Sequence, residues 1–198
     1  VYQGTAGDCA GLTYTETHSI PGDEAYTFVQ YPGFTPLPTN CAGSATIEAT
    51  GDFVALVNEG SFANDAGITY SAIPDSAVTT KISAPLFKDN YYNNTSGMQI
   101  QNVGATGATA IVATFSCAVA GGSPFEAVSL AQNAGSGSAV LFFLPSTTPS
   151  MFEAASPFSS DKAACSVIIT SDQPIVSIVN EMGWGQSMDD NNYEGFNL

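Results

Sequence analysis

Residues 165–182 read CSVIITSDQPIVSIVNEM: two runs rich in β-branched residues, parted by Ser171, Asp172, Gln173 and Pro174. Val, Ile and Thr near every second position favour a strand with one face turned to a core. Asp and Pro between two such runs signal a tight turn. The expected local structure is strand, turn, strand: a β-hairpin. A hairpin is marginal alone and needs further strands to bury its apolar face, so this stretch points to an all-β fold.

A second stretch, residues 43–60, reads GSATIEATGDFVALVNEG and aligns with the first without a gap. Val57, Asn58 and Glu59 fall on Val179, Asn180 and Glu181, while Asp52 and Phe53 fall on Pro174 and Ile175. The likeness continues outward. AYTFVQY at 25–31 resembles AVLFFL at 139–144, and each leads into a Pro-rich loop with an aromatic, residues 32–38 and 145–158. NDAGITY at 64–70 resembles DNNYEGF at 190–196. Cys9 corresponds to Cys117, and Cys41 falls within two residues of Cys165. Cysteines, hairpin and Tyr-bearing tail in one order, twice, read as a tandem repeat. The expected architecture is two antiparallel β-sandwich units, Ig-like or jelly-roll-like, spanning residues 1–80 and 81–198. Before the second cysteine pair lie residues 84–103, where Met98 and Ile100 alternate with Gln99 and Gln101 as on a half-buried strand. Residues 109–117 supply the next strand. Only residues 1–9 stand before the first pair, so the first unit is expected to be one or two strands short.

Four cysteines with no CxxC spacing, and a single histidine, give a zinc site poor ligand supply. An even count at wide spacing implies two disulfides and an oxidising compartment. Of the three pairings that four cysteines allow, equivalent units select Cys9–Cys41 and Cys117–Cys165. Each bridge closes a loop of tens of residues, worth about 4 kcal/mol by chain entropy. The chain begins at Val1 in strand-like sequence and is expected to be mature, any export signal already removed.

Charge excludes several partners. Lys81, Lys88 and Lys162 are the only basic side chains beside 18 acidic ones, for a net charge of -15. Neutralising nucleic-acid phosphates or docking on anionic lipid needs cations this chain lacks. No apolar run approaches the roughly 20 residues of a membrane helix; the longest, residues 139–144, ends at Pro145. With 44% apolar residues the chain has enough to build a core.

The segment 85–196 carries SGMQIQN at 96–102, a Thr/Val-rich strand, the ITSxxPIxxIVN run within 165–180, and NYxGF at 192–196. In these motifs it resembles a repeat of large secreted proteins of filamentous bacteria. The resemblance implies a cell-surface or extracellular-matrix module and brings no catalytic motif with it.

Candidate sites are few. His18 lacks a Gly-x-Ser-x-Gly elbow and reads as an ordinary strand or loop histidine. Glu59 and Glu181 suggest a glycosidase pair, but they are repeat equivalents, each with a local role beside Asn58 and Asn180 in closing a turn. Asp189, Asp190 and Glu194, with Asn191 and Asn192, are the one weak calcium candidate, and their spacing fits no EF-hand loop. Asn93 and Asn94 each begin a glycosylation sequon, and residues 145–150 are rich in Ser and Thr. Trp184, Tyr91 and Tyr92 are candidates for stacking on sugar. No cofactor is expected.

The sequence thus reads as a non-enzymatic extracellular structural protein, a subunit of a filament or sheath whose partner is itself. A secreted carbohydrate-binding or adhesive module, with glycans as partners, is the alternative. Segments 1–7 (Val1, Tyr2) and 191–198 (Tyr193, Phe196, Leu198) are candidate strand donors for the short first unit. The rival account has residues 62–83 folding back to complete it. Non-reducing peptide mapping is expected to link Cys9 to Cys41 and Cys117 to Cys165; a crossed bridge such as Cys9–Cys165 would sink the equivalence of the two units.

Overall fold

The computed structural model describes residues 1–29, 37–61, 66–143, 151–152, 158, 162–183 and 191–198. They form strands β1 (Tyr2–Gly7), β2 (Thr13–Tyr14), β3 (Cys41–Ala45), β4 (Leu56–Ser61), β5 (Ala66–Ser71), β6 (Thr79–Asp89), β7 (Asn94–Asn102), β8 (Ala108–Val119), β9 (Phe125–Val128), β10 (Gln132–Ala134), β11 (Ala139–Phe143), β12 (Ala163–Gly183), β13 (Asn191–Glu194) and β14 (Phe196–Asn197). The chain is all-β, and every strand pairing is antiparallel.

Nine strands from β6 to β14 make one sheet, and β12 is its axis. The first half of β12 lies between β8 (Cys165↔Cys117, Thr170↔Val112) and β6 (Ala163↔Asp89, Thr170↔Lys81). The second half lies between β7 (Ile175↔Asn102, Gly183↔Asn94) and β13 (Ile178↔Glu194, Glu181↔Asn191). The pairing with β6 shifts register between Thr170 and Ile175.

That shift falls on Ser171–Pro174 and corrects the hairpin expected there. Residues 165–182 run on as one strand, because each half finds neighbours elsewhere in the chain. Pro174 has no N–H to give a ladder and sits where the ladder is already broken. Its carbonyl accepts the Val103 N–H at 2.9 Å. The Asp172 carboxylate accepts the Thr109 N–H at 3.0 Å and the Thr109 hydroxyl at 2.8 Å, fastening the start of β8. The aligned stretch 43–60 forms no hairpin either: β3 pairs with β1, and β4 pairs with β5.

Alternation builds the core. Along β7, Met98 and Ile100 are buried while Gln99 and Gln101 are half-buried on the other face. Phe115 of β8 is the hub, with Phe87 at 5.4 Å edge-on, Phe158 at 5.4 Å, Phe152 at 5.9 Å and Phe142 at 6.2 Å between ring centroids. These separations suit the aromatic quadrupole. Ile82, Ile111, Val167, Ile169, Ile175 and Val179 close around them. Cys117 and Cys165 sit directly opposite each other with Cα atoms 4.0 Å apart and are bridged.

Before β6 the chain makes smaller pieces. β1 is the middle of the sheet β2–β1–β3, stapled by Cys9–Cys41, while β4 and β5 form a separate pair. The expected boundary at 80/81 falls just inside β6. Residues 25–29, which resemble the start of β11, belong to no strand, and His18 lies in an exposed loop. Strand-forming side chains make no strand without a ladder partner. The stapled sheet and Thr46 just after it meet β7 and the β10–β11 turn: Gln99 Nε2 donates to the Gly43 carbonyl (2.9 Å), Gln101 Nε2 to the Thr46 hydroxyl (3.4 Å), and the Ser44 hydroxyl to the Gly137 carbonyl of the turn (2.6 Å).

Phe115→Ala is expected to destabilise the protein by about 3–5 kcal/mol in a denaturant titration. Phe196→Ala, on an exposed side chain, is expected to change stability by less than about 1 kcal/mol.

Candidate functional site

Burial divides the chain sharply. Every member of the hydrophobic core lies at residue 82 or later. Before β6, Cys9 is the one buried apolar side chain among the described residues. Yet this part exposes Leu12, Ile20, Tyr26, Phe28, Val29, Ile47, Phe53, Val54 and Leu56, with Val54 at 97%. All nine fall between residues 12 and 56, ahead of Ile82, the first residue of the core.

The aligned positions sharpen the contrast. Phe28 is 38% exposed and its counterpart Phe142 is 1%. Ile47 is 43% exposed against 0% for Ile169, and Phe53 is 51% exposed against 0% for Ile175. The cause is missing neighbours. β12 is flanked on both sides, whereas residues 46–55 belong to no strand and β4 has β5 alone. What β4 does have repeats a detail of β12: Val57 faces Tyr70 as Val179 faces Tyr193. Residues 66–71 therefore do fold back, as β5, but they occupy one side only.

Tyr193 ties β13 to β6. Its hydroxyl donates to the Leu86 carbonyl and accepts the Leu86 N–H at 3.1 Å. Burial, and the Glu181 carboxylate nearby, push its phenol up to about 12. Tyr70 is raised too, by burial first and then by Glu59, whose carboxylate accepts its hydroxyl at 3.3 Å. Next along the chain, a Cβ on Gly195 would overlap the Ile82 side chain, so glycine lets β13 and β14 lie close to β6.

The other sequence-derived candidates do not converge. His18 stacks on Tyr26 with ring centroids 3.6 Å apart, and Tyr26 donates to Glu16 at 3.3 Å. Glu59 lies within β4 and Glu181 within β12, not at turns. Glu181 pairs with Lys88 at 2.6 Å, an ion pair between residues too far apart in sequence to foresee. Glu194 is exposed, while Asp189, Asp190, Trp184 and residues 145–150 lie outside the described residues. Among the described residues no cluster of three or more His, Cys, Asp or Glu could hold a metal. Asn93 and Asn94 occupy the β6–β7 turn, where Asn93 has φ 63° and the Asn94 amide donates to the Tyr92 carbonyl at 3.1 Å. Tyr91 and Tyr92 pack edge to face in the same turn.

The proposed donors are both engaged. Tyr2 is in the central strand β1, and the Val1 ammonium donates to the Thr46 carbonyl at 2.8 Å. Tyr193 and Phe196 are in β13 and β14, and the Leu198 N–H donates to the Lys81 carbonyl at 3.1 Å. Either segment must leave these partners before it can join another chain. A cleft of about 160 Å³ beside β14, lined by Ile82, Val176, Ser177 and Phe196 among others, is smaller than the roughly 300–1,000 Å³ of small-molecule sites. No described helix is long and apolar enough to cross a membrane.

No family model and no curated protein matches this sequence. Among solved structures, Thermotoga maritima 1070 is similar at 12% identity and a TM-score of 0.40, over 59% of this chain and 92% of that one. A likeness so distant carries no argument about function.

The Tyr193 phenol gives an alkaline test. A pKa raised in the fold means stability fully present below the unfolded value near 10 and lost as pH rises toward about 12. Tyr193→Phe should flatten the loss of stability between those values. An unchanged pH profile would show that the phenol does not hold β13.

Proposed function

We propose that this chain is an extracellular structural protein that self-associates by strand addition, as the subunit of a filament or sheath. The observation that carries the reading is the open first unit: Phe28, Ile47 and Phe53 stand in solvent where the aligned Phe142, Ile169 and Ile175 are core. A strand from outside would cover these side chains and pair the backbone of residues 47–54, which belongs to no strand. The contact joins unlike surfaces, so it propagates from copy to copy unless it closes into a ring. Two disulfides fit an oxidising, extracellular setting. The net charge of -15 makes copies repel one another, so association is expected to strengthen as salt screens them.

Negative-stain microscopy with light scattering tests this. The intact chain is expected to form extended particles, and Phe28→Asp with Phe53→Asp to leave monomers with both disulfides intact. A chain that stays monomeric at high concentration in about 0.15 M salt would overturn the reading.

A further inference from the structure

The turn between β6 and β7 closes tightly. The Tyr91 N–H donates to the Asn94 carbonyl at 3.0 Å and the Asn94 N–H to the Tyr91 carbonyl at 3.1 Å, which leaves Tyr92 and Asn93 as a two-residue tip. Both have positive φ, 51° and 63°, as a type I′ turn requires. Asparagine enters that region readily, whereas a bulky tyrosine is strained there. Packing gives little in return. At 78% Tyr92 is more exposed than any other aromatic among the described residues, and the ring it meets is Tyr91, edge-on with centroids 4.6 Å apart. A large ring kept in a costly conformation and left in solvent asks for a partner outside the fold.

The sequence offers one. Asn93-Asn94-Thr95 and Asn94-Thr95-Ser96 are overlapping sequons, and the structure tells them apart. Asn93 is exposed. Asn94 is half-buried at the start of β7, its amide donates to the Tyr92 carbonyl at 3.1 Å, and its Oδ1 lies 3.3 Å from where a Cβ on Gly183 would stand. A sugar on Asn94 has to disturb that seat, and one on Asn93 extends into water. We infer that Asn93 carries an N-linked glycan and that the Tyr92 ring is the platform on which its first sugar packs. The C–H face of a sugar ring is apolar and weakly positive, which suits the negative face of an aromatic. Residues 90–103 carry no charged side chain, so the glycan brings to this tip the hydration that carboxylates bring elsewhere. The inference is independent of self-association.

The donor is a sugar held on a polyprenyl diphosphate. The Asn93 amide nitrogen bonds to the anomeric carbon as the carbon–oxygen bond to diphosphate breaks. The diphosphate leaves with the electron pair, and one amide proton passes to a base of the transferase. The transferase must also reach Thr95, which is 2% exposed within β7, so transfer precedes the entry of β7 into the sheet.

The test begins with the full chain as its own organism secretes it. Electron-transfer fragmentation, which leaves a sugar on its residue, is expected to place a glycan mass on Asn93 and none on Asn94. Glycan on Asn94 instead, or on neither, overturns the site. The platform is tested by melting temperature, against the same chain made in a host without the transferase. The glycan is expected to raise the wild-type Tm by about 2–4 °C. In Tyr92→Gly, where glycine accepts the positive φ, the same comparison is expected to fall below about 1 °C. A wild-type difference that is absent, or that Tyr92→Gly leaves unchanged, overturns the platform.

Discussion

Hydrogen-bonded neighbours on both sides of β12 are the constraint from which the rest of this structure follows. The strand spans Ala163–Gly183 and changes partners once, near Pro174. Its first half holds β8 and β6 apart at the width of one strand, and its second half does the same for β7 and β13. Slipping it by one residue would turn Val167, Ile169, Ile175 and Val179 out of the core. The bridge from Cys165 to the directly opposed Cys117 forbids that slip on the β8 side. Strand length, partner change and cystine act together, and the aromatic cluster around Phe115 packs on the frame they set.

Much of this was legible from side chains alone. The alternation of Met98 and Ile100 with glutamines named a half-buried strand because period two is local information. The cystine pairs were legible because one half of the chain could be read against the other. The turn at Asp172 and Pro174 was misread for a physical reason. Those residues break a ladder equally well at a chain reversal and at a bulge, and only distant neighbours decide which. Residues 25–29 resemble the start of β11 yet form no strand, the complementary case, since propensity is present and a partner is not. Phe152 and Phe158 joined the core from a Pro-rich region with no periodicity to announce them. Of the surface site, the shortage of strands before β6 was foreseeable. Which side chains it leaves in water, and that both chain ends are already paired, were not.

The contact between the two parts is of a different kind from the core. Gln99, Gln101 and Ser44 meet backbone carbonyls and a hydroxyl, so the stapled sheet meets β7 and the β10–β11 turn through polar bonds. Each such bond is worth about 1 kcal/mol net, since water offers a similar partner. The apolar residues of the first part are not spent on this contact. Phe53 and Val54 stay exposed, so the part from β6 onward holds a packed core and the part before it does not.

The scarcity of lysine reaches beyond solubility. An extracellular protease that cuts after basic residues finds three candidate bonds in the whole chain. Two of them, after Lys81 and Lys88, lie inside β6, whose backbone is paired to β12. Lys88 is further occupied by Glu181. Cleavage needs an extended stretch of free backbone, which a strand inside a sheet yields only by local unfolding. That leaves Lys162, exposed at the threshold of β12 with φ at 64°. The fold therefore hides from trypsin-like digestion most of the little that its composition exposes.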